Sequence, residues 1–386
     1  MKLCSEELCS GCGACVNVCP QKCISMKRNN QGFDYPVIDA GRCIDCKQCD
    51  KVCDSVQNGF DDRSPQVYSI TMKNDDVSLE KSSSGGAAYA LSKRFIETGG
   101  VVFGAAYSET LQVDHVCVYN ISDLRRLQGS KYVQSSTGHC YSDVKQKINA
   151  GTKVLYFGTP CQIHGLYSYL GKTNLEPLFT CDLLCGGVPS PGLFERYVKD
   201  LKKKTGDDFD GYNFRSKKYG YGYGYLIQTI TGNKKRTLTK HDASFVKTMG
   251  AGYVRESCFG CRFGSISRVG DITIGDFRGI KVNTKQWNKG VSLLFVNNEK
   301  GQELLSSCID ELIIDKRTIE DAEKSQHCAL TGSKKKPYDY DSFFSDCSSM
   351  DWYQVSKKYF SPRSPKEKIK ESIPLALLGA ARRIRR

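Results

Sequence analysis

The chain has 386 residues, 39% hydrophobic and 25% charged, a balance that fits a globular protein of more than one domain and excludes a disordered one. Lys and Arg outnumber Asp and Glu by 56 to 42, a formal charge of +14, but the basic residues are scattered and carry no nucleic-acid signature, so nucleic acid is not an expected partner. Twenty cysteines follow a start, Met1-Lys2-Leu3-Cys4, that has no apolar leader. This argues for a reducing, cytoplasmic setting with thiols as ligands and against a secreted disulfide scaffold, and no apolar run approaches the roughly 20 residues that span a bilayer.

Residues 1–56 hold the strongest signal, a cysteine phrase written twice. Cys9, Cys12, Cys15 and Cys19 are spaced C-x2-C-x2-C-x3-C and followed by Pro20, and Cys43, Cys46, Cys49 and Cys53 repeat the spacing. Three thiolates two residues apart wrap one face of an iron–sulfur cubane, while the fourth, by then in a helix, points to the other cluster. Two [4Fe–4S] clusters with crossed ligation are expected. Cys9, Cys12, Cys15 and Cys53 would hold one, and Cys19, Cys43, Cys46 and Cys49 the other. Structural zinc is the bland alternative, but zinc takes four ligands per site and has no use for a third evenly spaced cysteine. Asp54 stands where the first copy has Pro20, which shapes an exit turn and is not a ligand. Cys4 and Cys23 fall outside the pattern and read as spectators. An oxidised cubane with four thiolates carries roughly −2, so two clusters lower the net charge by about four units. The remaining positive charge suits acidic redox partners or anionic cofactors.

The polar stretch 57–65 reads as a linker. Gln66 to Met72 is expected as a strand, Ser82–Gly86 opens a helix to about Thr98, and Val101–Tyr107 and Leu111–Tyr119 follow as strands. A short helix begins at Ser122, and a longer one runs from Ser142 to Ala150. The apolar strand Val154–Phe157 leads through Gly158-Thr159-Pro160-Cys161 into a helix ending at Leu170. A strand at Leu178–Leu183 and a helix to about Lys204 complete an alternating βα pattern. Beyond Gly211 strands dominate, at Tyr225–Thr231, Asp271–Ile274 and Val291–Val296, before an amphipathic helix at Gly301–Leu312. The tract Tyr219–Tyr225 alternates tyrosine and glycine and reads as a glycine-rich turn or a loop near a ligand. The expected fold class is α+β, a small two-cluster ferredoxin-like domain (1–56) followed by a larger α/β body. That body divides into an N-terminal part (66–205) and a strand-rich C-terminal part (206–345), with a basic tail (346–386). The tail's last residues, Ile373–Arg386, are apolar and then arginine-rich, a pattern for peripheral membrane contact or for a solvated helix end.

Four further cysteines sit in turns. Cys161 starts a helix, where the N-terminus stabilises a thiolate; Cys185 precedes Gly186-Gly187; and Cys258 and Cys261 form a C-x2-C. Together they supply four ligands for a possible third cluster, with zinc or buried free thiols as alternatives. Of the histidines His115, His139, His164, His241 and His327, only His164, three residues after Cys161, lies near expected chemistry. It is a candidate proton donor beside Cys161, against the plainer reading of a core histidine.

The segments Ser83-Ser84-Gly85-Gly86, Gly129–Ser135, Gly158–Gln162 and Asp271–Phe277 occur in that order. Together they resemble the coenzyme F420 hydrogenase/dehydrogenase beta-subunit family, over roughly residues 1–300. The resemblance implies an iron–sulfur flavoprotein that passes electrons between clusters, a bound FAD and a second redox partner. In family members that partner is the deazaflavin coenzyme, a hydrogenase or formate dehydrogenase subunit, or a tetrapyrrole such as a chlorophyll precursor. A small organic substrate or deazaflavin is therefore expected here, with a ferredoxin or another redox protein or subunit as the other partner. In that role Ser84, Gly85 and Gly86 would offer backbone donors to a diphosphate at a helix start. Lys131 would supply a cation near phosphate or the flavin ring, Tyr132 and Gln134 would bracket the ring, and Thr159 and Gln162 would donate hydrogen bonds. Arg278 stands near where the family commonly has a tryptophan, which alters what docks there. The competing reading is an electron-transfer adaptor that docks to another subunit and binds no substrate of its own. A structural zinc protein is the third.

Overall fold

A computed structural model of the chain describes residues 3–53, 64–218, 220–221, 226–280, 282, 289–332 and 334–361. Most of the expected linker, most of the Tyr–Gly tract, the tail from residue 362 and the side chain of His327 lie outside the described residues.

The N-terminal domain is two cysteine turns joined by a hairpin. Gly13, at φ +80°, starts helix α1 (Ala14–Val18), and Cys19 is the residue that ends it. Strands β1 (Ile24–Arg28) and β2 (Asp34–Ile38) pair antiparallel in the register Ile24↔Ile38 to Arg28↔Asp34. Helix α2 (Gln48–Lys51) follows, with Cys53 just past its end. Each phrase therefore places its fourth cysteine at the far end of a short helix.

The body begins with β3 (Gln66–Met72) and α3 (Asp76–Lys81), which Asp75 caps by accepting the Ser78 N–H. After α4 (Ala87–Glu97) come β4 (Val101–Tyr107), β5 (Val113–Val118) and a 3-10 turn at Ile121–Arg126. Then α5 (Cys140–Asn149), β6 (Val154–Gly158), α6 (Pro160–Leu170), β7 (Leu178–Leu183) and α7 (Pro191–Thr205) alternate. A small antiparallel sheet, β8 (Gly211–Asn213), β9 (Gln228–Thr231) and β10 (Lys234–Thr237), precedes α8 (Lys247–Ala251). Strands β11 (Ile272–Asp276) and β12 (Ser292–Val296), helix α9 (Glu299–Ser307) and strand β13 (Leu312–Arg317) follow. Helices α10 (Ile319–Leu330), α11 (Tyr340–Ser349) and α12 (Trp352–Phe360) close the described chain.

Eight strands form one sheet in the order β13-β3-β12-β11-β7-β6-β4-β5. Its centre, β11-β7-β6-β4, is parallel, and the strands outside it pair antiparallel. All five residues of β12 are buried, as are five of six in β7, which is why these segments read as continuous apolar runs rather than alternating ones. The architecture is thus mixed α/β with a ferredoxin-like N-terminal domain. The expected helix at Gly301–Leu312 is instead α9 followed by a strand, because Leu312 pairs with Met72 and starts β13. The packed body also runs past residue 345. Trp352 is 1% exposed, donates its indole N–H to Ser244 Oγ at 2.9 Å and lies in a core with Tyr197, Phe245 and Phe360. Among the described residues no helix is long and apolar enough to cross a membrane.

The ferredoxin-like domain is docked on this body. Its hairpin tip meets the start of α7, where Ser190 Oγ donates to Gln31 O (2.8 Å), Gly192 N donates to Gly32 O (3.0 Å) and Arg28 pairs with Glu195 (2.7 Å). Phe33 and Tyr35 share a core with Phe194 and Tyr197, while Ala14 and Val52 pack with Tyr141, Tyr156 and Leu166.

Candidate metal centre and the adjoining body site

Two hollows of about 400 and 380 Å³, counting the part open to solvent, lie in the N-terminal domain. The first is lined by Cys9, Cys12 and Cys15 together with Cys53 from the other phrase; the second by Cys43, Cys46 and Cys49 together with Cys19. Each also holds a fifth thiol, so Cys4 and Cys23 do not stand apart from the hollows as the spacing alone implied. Cys4 lies in the first, against Cys53 and Cys9, and the Cys23 sulfur is 3.4 Å from that of Cys19 in the second. Among the described residues no three His, Cys, Asp or Glu side chains are placed to hold a single metal ion.

The first hollow fits a cationic guest. Hydrogen bonds to Cys53 and Cys9 push the Cys4 thiol far up, and burial, then the neighbouring Cys12, pushes Cys15 up. The Cys4 hydrogen bond, and after it the Arg255 guanidinium, hold Cys9 down at about 6. Thiols so crowded ionise together only around positive charge. Ser10 Oγ is buried there without a hydrogen-bond partner. Gly11 and Gly13, at φ +69° and +80°, give the loop the left-handed turns that carry Cys12 inward.

The two hollows differ in surroundings. The body clasps the first: Thr137 Oγ1 donates to Cys12 O (3.0 Å), Gln134 Nε2 to Ser10 O (2.9 Å) and Arg255 Nε to Cys9 O (2.6 Å). Helix α6 approaches so closely that a Cβ on Gly165 would lie 2.9 Å from both Cβ and Sγ of Cys12. The second hollow is lined only by residues 19–49, and its rim is open, with Cys46 exposed and Ile44 60% exposed.

In the body, Cys185, Cys258 and Cys261 lie close enough to influence one another. Burial, then Cys185, pushes Cys258 up to about 12, and burial, with Cys261, pushes Cys185 up to about 11. Cys161, the remaining member of the expected set, sits at the start of α6 with its sulfur 3.2 Å from Thr159 Oγ1. One turn on, His164 is 3.3 Å from an Arg262 nitrogen, beside Cys261, and its ring is 5.7 Å from that of Phe263.

The four segments of the family resemblance meet in space. Ser130 N donates to Ser83 Oγ (2.6 Å), and Lys217 Nζ donates to Ser84 O (2.5 Å). Arg215 Nη1 donates to Tyr132 Oη (2.7 Å) and pairs with Asp276 (2.6 Å) at the end of β11. Gln162 Nε2 donates to Ser135 O and Oγ, both at 3.1 Å, while its Oε1 accepts the Thr159 N–H (3.0 Å). Gln134 turns toward the first hollow, bonding Ser10 and Arg255. Gly85 threads between strands: a Cβ there would fall on Ile70 O and 2.6 Å from Ser292 N. Gly86, at φ +85°, starts α4. Arg278 is half exposed and pairs with Asp276 (3.3 Å).

Two lysines beside this network are held low by burial, Lys131 and Lys217, both at about 7. Their charge is shared with carbonyls. Lys131 Nζ donates to Leu127, Gln128 and Gly129 O, and Lys217 Nζ to Leu79, Ser84 and Lys289 O. An unfolded lysine keeps its proton to about 10.5, so between pH 7 and that value the unfolded chain binds more protons and stability rises with pH. Urea unfolding of the chain is expected to show this rise between pH 7 and 9, and Lys217→Gln to reduce its slope. An unchanged slope in that variant would show that Lys217 keeps its proton in the fold. Arg215, Lys217 and Arg255 are not marked in the sequence. The nearest sign is the alternation of buried Tyr212 and Phe214 with Asn213 and Arg215.

Comparison with known proteins follows the same division. Residues 151–322 match the family defined by the C terminus of the coenzyme F420 hydrogenase/dehydrogenase beta subunit, and residues 8–55 match the 4Fe-4S dicluster domain. The F subunit of the F(420)H(2) dehydrogenase of Methanosarcina mazei is 20% identical over 321 residues, 80% of this chain and 84% of that protein. A protein from the rpl9–rpl11 intergenic region of Porphyra purpurea is 36% identical over 63 residues, 16% of this chain and 84% of its own. A chain of the F420-reducing [NiFe] hydrogenase complex from Methanosarcina barkeri is 17% identical, with 73% of this chain and 99% of that one covered at a TM-score of 0.48.

Proposed function

For a chain that belongs to the coenzyme F420 hydrogenase/dehydrogenase beta-subunit family and carries a 4Fe-4S dicluster domain at its N-terminus, we propose an iron–sulfur flavoprotein subunit of an oxidoreductase complex. Cys9, Cys12, Cys15 and Cys53 hold one cluster and Cys19, Cys43, Cys46 and Cys49 the other. Cys161, Cys185, Cys258 and Cys261 are the candidate ligands of a third. The clusters supply one-electron transfer and a flavin pairs electrons for a small organic substrate or deazaflavin.

The observation that carries this reading is the contrast between the hollows, one lined only by residues 19–49 with Cys46 exposed and one whose loop is tied to the body. It suits a protein that meets a ferredoxin or partner subunit at Cys46 and hands electrons inward. The residues that would hold the flavin are those of the network at Ser84–Gly86, Lys131, Tyr132, Thr159 and Gln162, with Arg215 and Lys217 as cations for its phosphates. Tyr132, buttressed by Phe214 with ring centroids 5.4 Å apart, offers an aromatic face there. The alternative reading, an adaptor without flavin, is favoured by one observation: Lys131, Lys217 and Gln162 already direct their donors to protein oxygens.

Iron, acid-labile sulfide and flavin measured on one anaerobic preparation decide between them. About eight irons with one flavin per chain are expected, and about twelve if the body site is filled. Eight irons without flavin would leave the adaptor, and zinc without sulfide would end the iron–sulfur reading.

A further inference from the structure

Among the described residues, no carboxylate pairs with the buried cation Arg255. It is 1% exposed, and each of its three nitrogens has a partner: Nε on Cys9 O (2.6 Å), Nη1 on Gln134 Oε1 (2.9 Å), Nη2 on Asp34 O (3.0 Å) and, at 3.6 Å, on Cys9 Sγ. The guanidinium carbon lies 4.0 Å from the centre of the Tyr35 ring. The other deeply buried arginines have acids: Arg268 pairs with Asp182 at 2.8 Å and Arg215 with Asp276 at 2.6 Å. A guanidinium removed from water and set among carbonyl and amide oxygens is costly unless a negative group stands nearby, and the Cys9 sulfur is the acceptor there that can carry that charge. The group that Arg255 faces is the first cysteine loop. That loop is shaped around it, since a Cβ on Gly11 would sit 2.9 Å from Arg255 Nη1.

We propose that Arg255 is the counter-ion of the cluster held by Cys9, Cys12, Cys15 and Cys53 and sets its reduction potential above the one it would otherwise have. The inference rests on the reading that this hollow holds a cluster. Taking up one electron, without a proton, makes the cluster with its four thiolates one unit more negative, from about −2 to about −3. A fixed positive charge in a water-poor site favours the more negative state. Among the described residues the second hollow has no such buried cation. Its nearby cations, such as Lys47 at 51% side-chain exposure and the exposed Arg42, stand in water, which screens them. Arg255 is therefore a positioning and tuning residue that acts through the cluster. Its backbone also reaches the body thiols, because its N–H donates to Val188 O (3.0 Å) and its carbonyl accepts the Cys258 N–H (2.9 Å).

The test is a redox titration of the anaerobically purified full chain with dithionite, followed by electron paramagnetic resonance. The Cys12→Ala protein, which lacks the first cluster, identifies that cluster's signal by its loss. In Arg255→Gln the first cluster is expected to move to lower potential while the second stays. Arg255→Lys, which keeps the charge and loses the fork, should retain most of the parent value and also serves if the glutamine variant does not fold. Thr137→Val, which removes a loop tie without touching charge, should leave the potential in place. Parent potentials for both clusters in Arg255→Gln would overturn the proposal, as would an equal shift in Thr137→Val. Iron counts on the parent and on Cys12→Ala separate these outcomes from failure of the underlying reading, since a parent without the first cluster loses no iron in Cys12→Ala.

Discussion

A Cys12→Ala protein purified without oxygen is expected to carry about four fewer irons than its parent and to lose one of two ferredoxin-type signals. Cys12 stands between two glycines of positive φ, its carbonyl accepts from Thr137, and its sulfur faces Gly165 on α6. No side chain in that position other than cysteine presents a thiolate to the hollow. The fifth thiol, Cys4, lies against Cys53 and Cys9, so it is placed to stand in for one of those and not for Cys12. Cys53→Ala should therefore lose less iron than Cys12→Ala. The second cluster, whose ligands lie among residues 19–49, should survive both changes. An iron count in Cys12→Ala equal to its parent's would sink the crossed ligation scheme. Loss of both clusters would show instead that the hollows do not fill independently.

Gly85→Ala is expected to cost about 3 kcal/mol or more of stability, at the upper end of what overpacking does. The obstacles to a Cβ there are main-chain atoms of two strands, Ile70 O on β3 and Ser292 N on β12, and no rotamer change relieves them. Gly85 O also accepts the Met72 N–H (2.8 Å), which ties the turn to the end of β3. Gly86→Ala is the calibrating variant. Its neighbours are the flexible side chains of Leu79 and Met72, so the cost is that of a left-handed φ, about 1 kcal/mol. Urea midpoints of the two proteins should rank Gly85→Ala well below Gly86→Ala. Equal midpoints would mean that residues 83–86 do not pass between the strands as described.

The parts of this protein legible in the sequence are those set by short-range chemistry. The cysteine spacing pointed to two thiol groups because a turn and a short helix dictate where each sulfur goes. Strands such as Leu178–Leu183 announced themselves as apolar runs because they are buried on both faces. Leu312–Arg317 did not, since its pattern follows a helix without a break and its strand character comes from pairing with β3, about 240 residues away in sequence. Cys4 and Cys23 lie near the phrases in sequence, but only the folded hairpin and helices show that they face the same spaces. Arg255 was invisible for a related reason. Nothing in Tyr253-Val254-Arg255-Glu256 separates an arginine buried under a cysteine loop from one in water. The family segments were recognisable singly as turns, and their meeting around Arg215 and Lys217 depends on the sheet order.

The position of β3 also bears on how the chain is made. The first strand of the body is synthesised early, yet both of its neighbours, β12 and β13, are among the last strands to leave the ribosome. Until then β3 has two unpaired edges, the kind of surface that invites pairing with other chains. At about 5–20 residues per second, the wait lasts on the order of ten seconds or more. The nascent chain therefore passes through a long interval in which its cysteine-rich head is complete while the sheet of the body on which it docks is open.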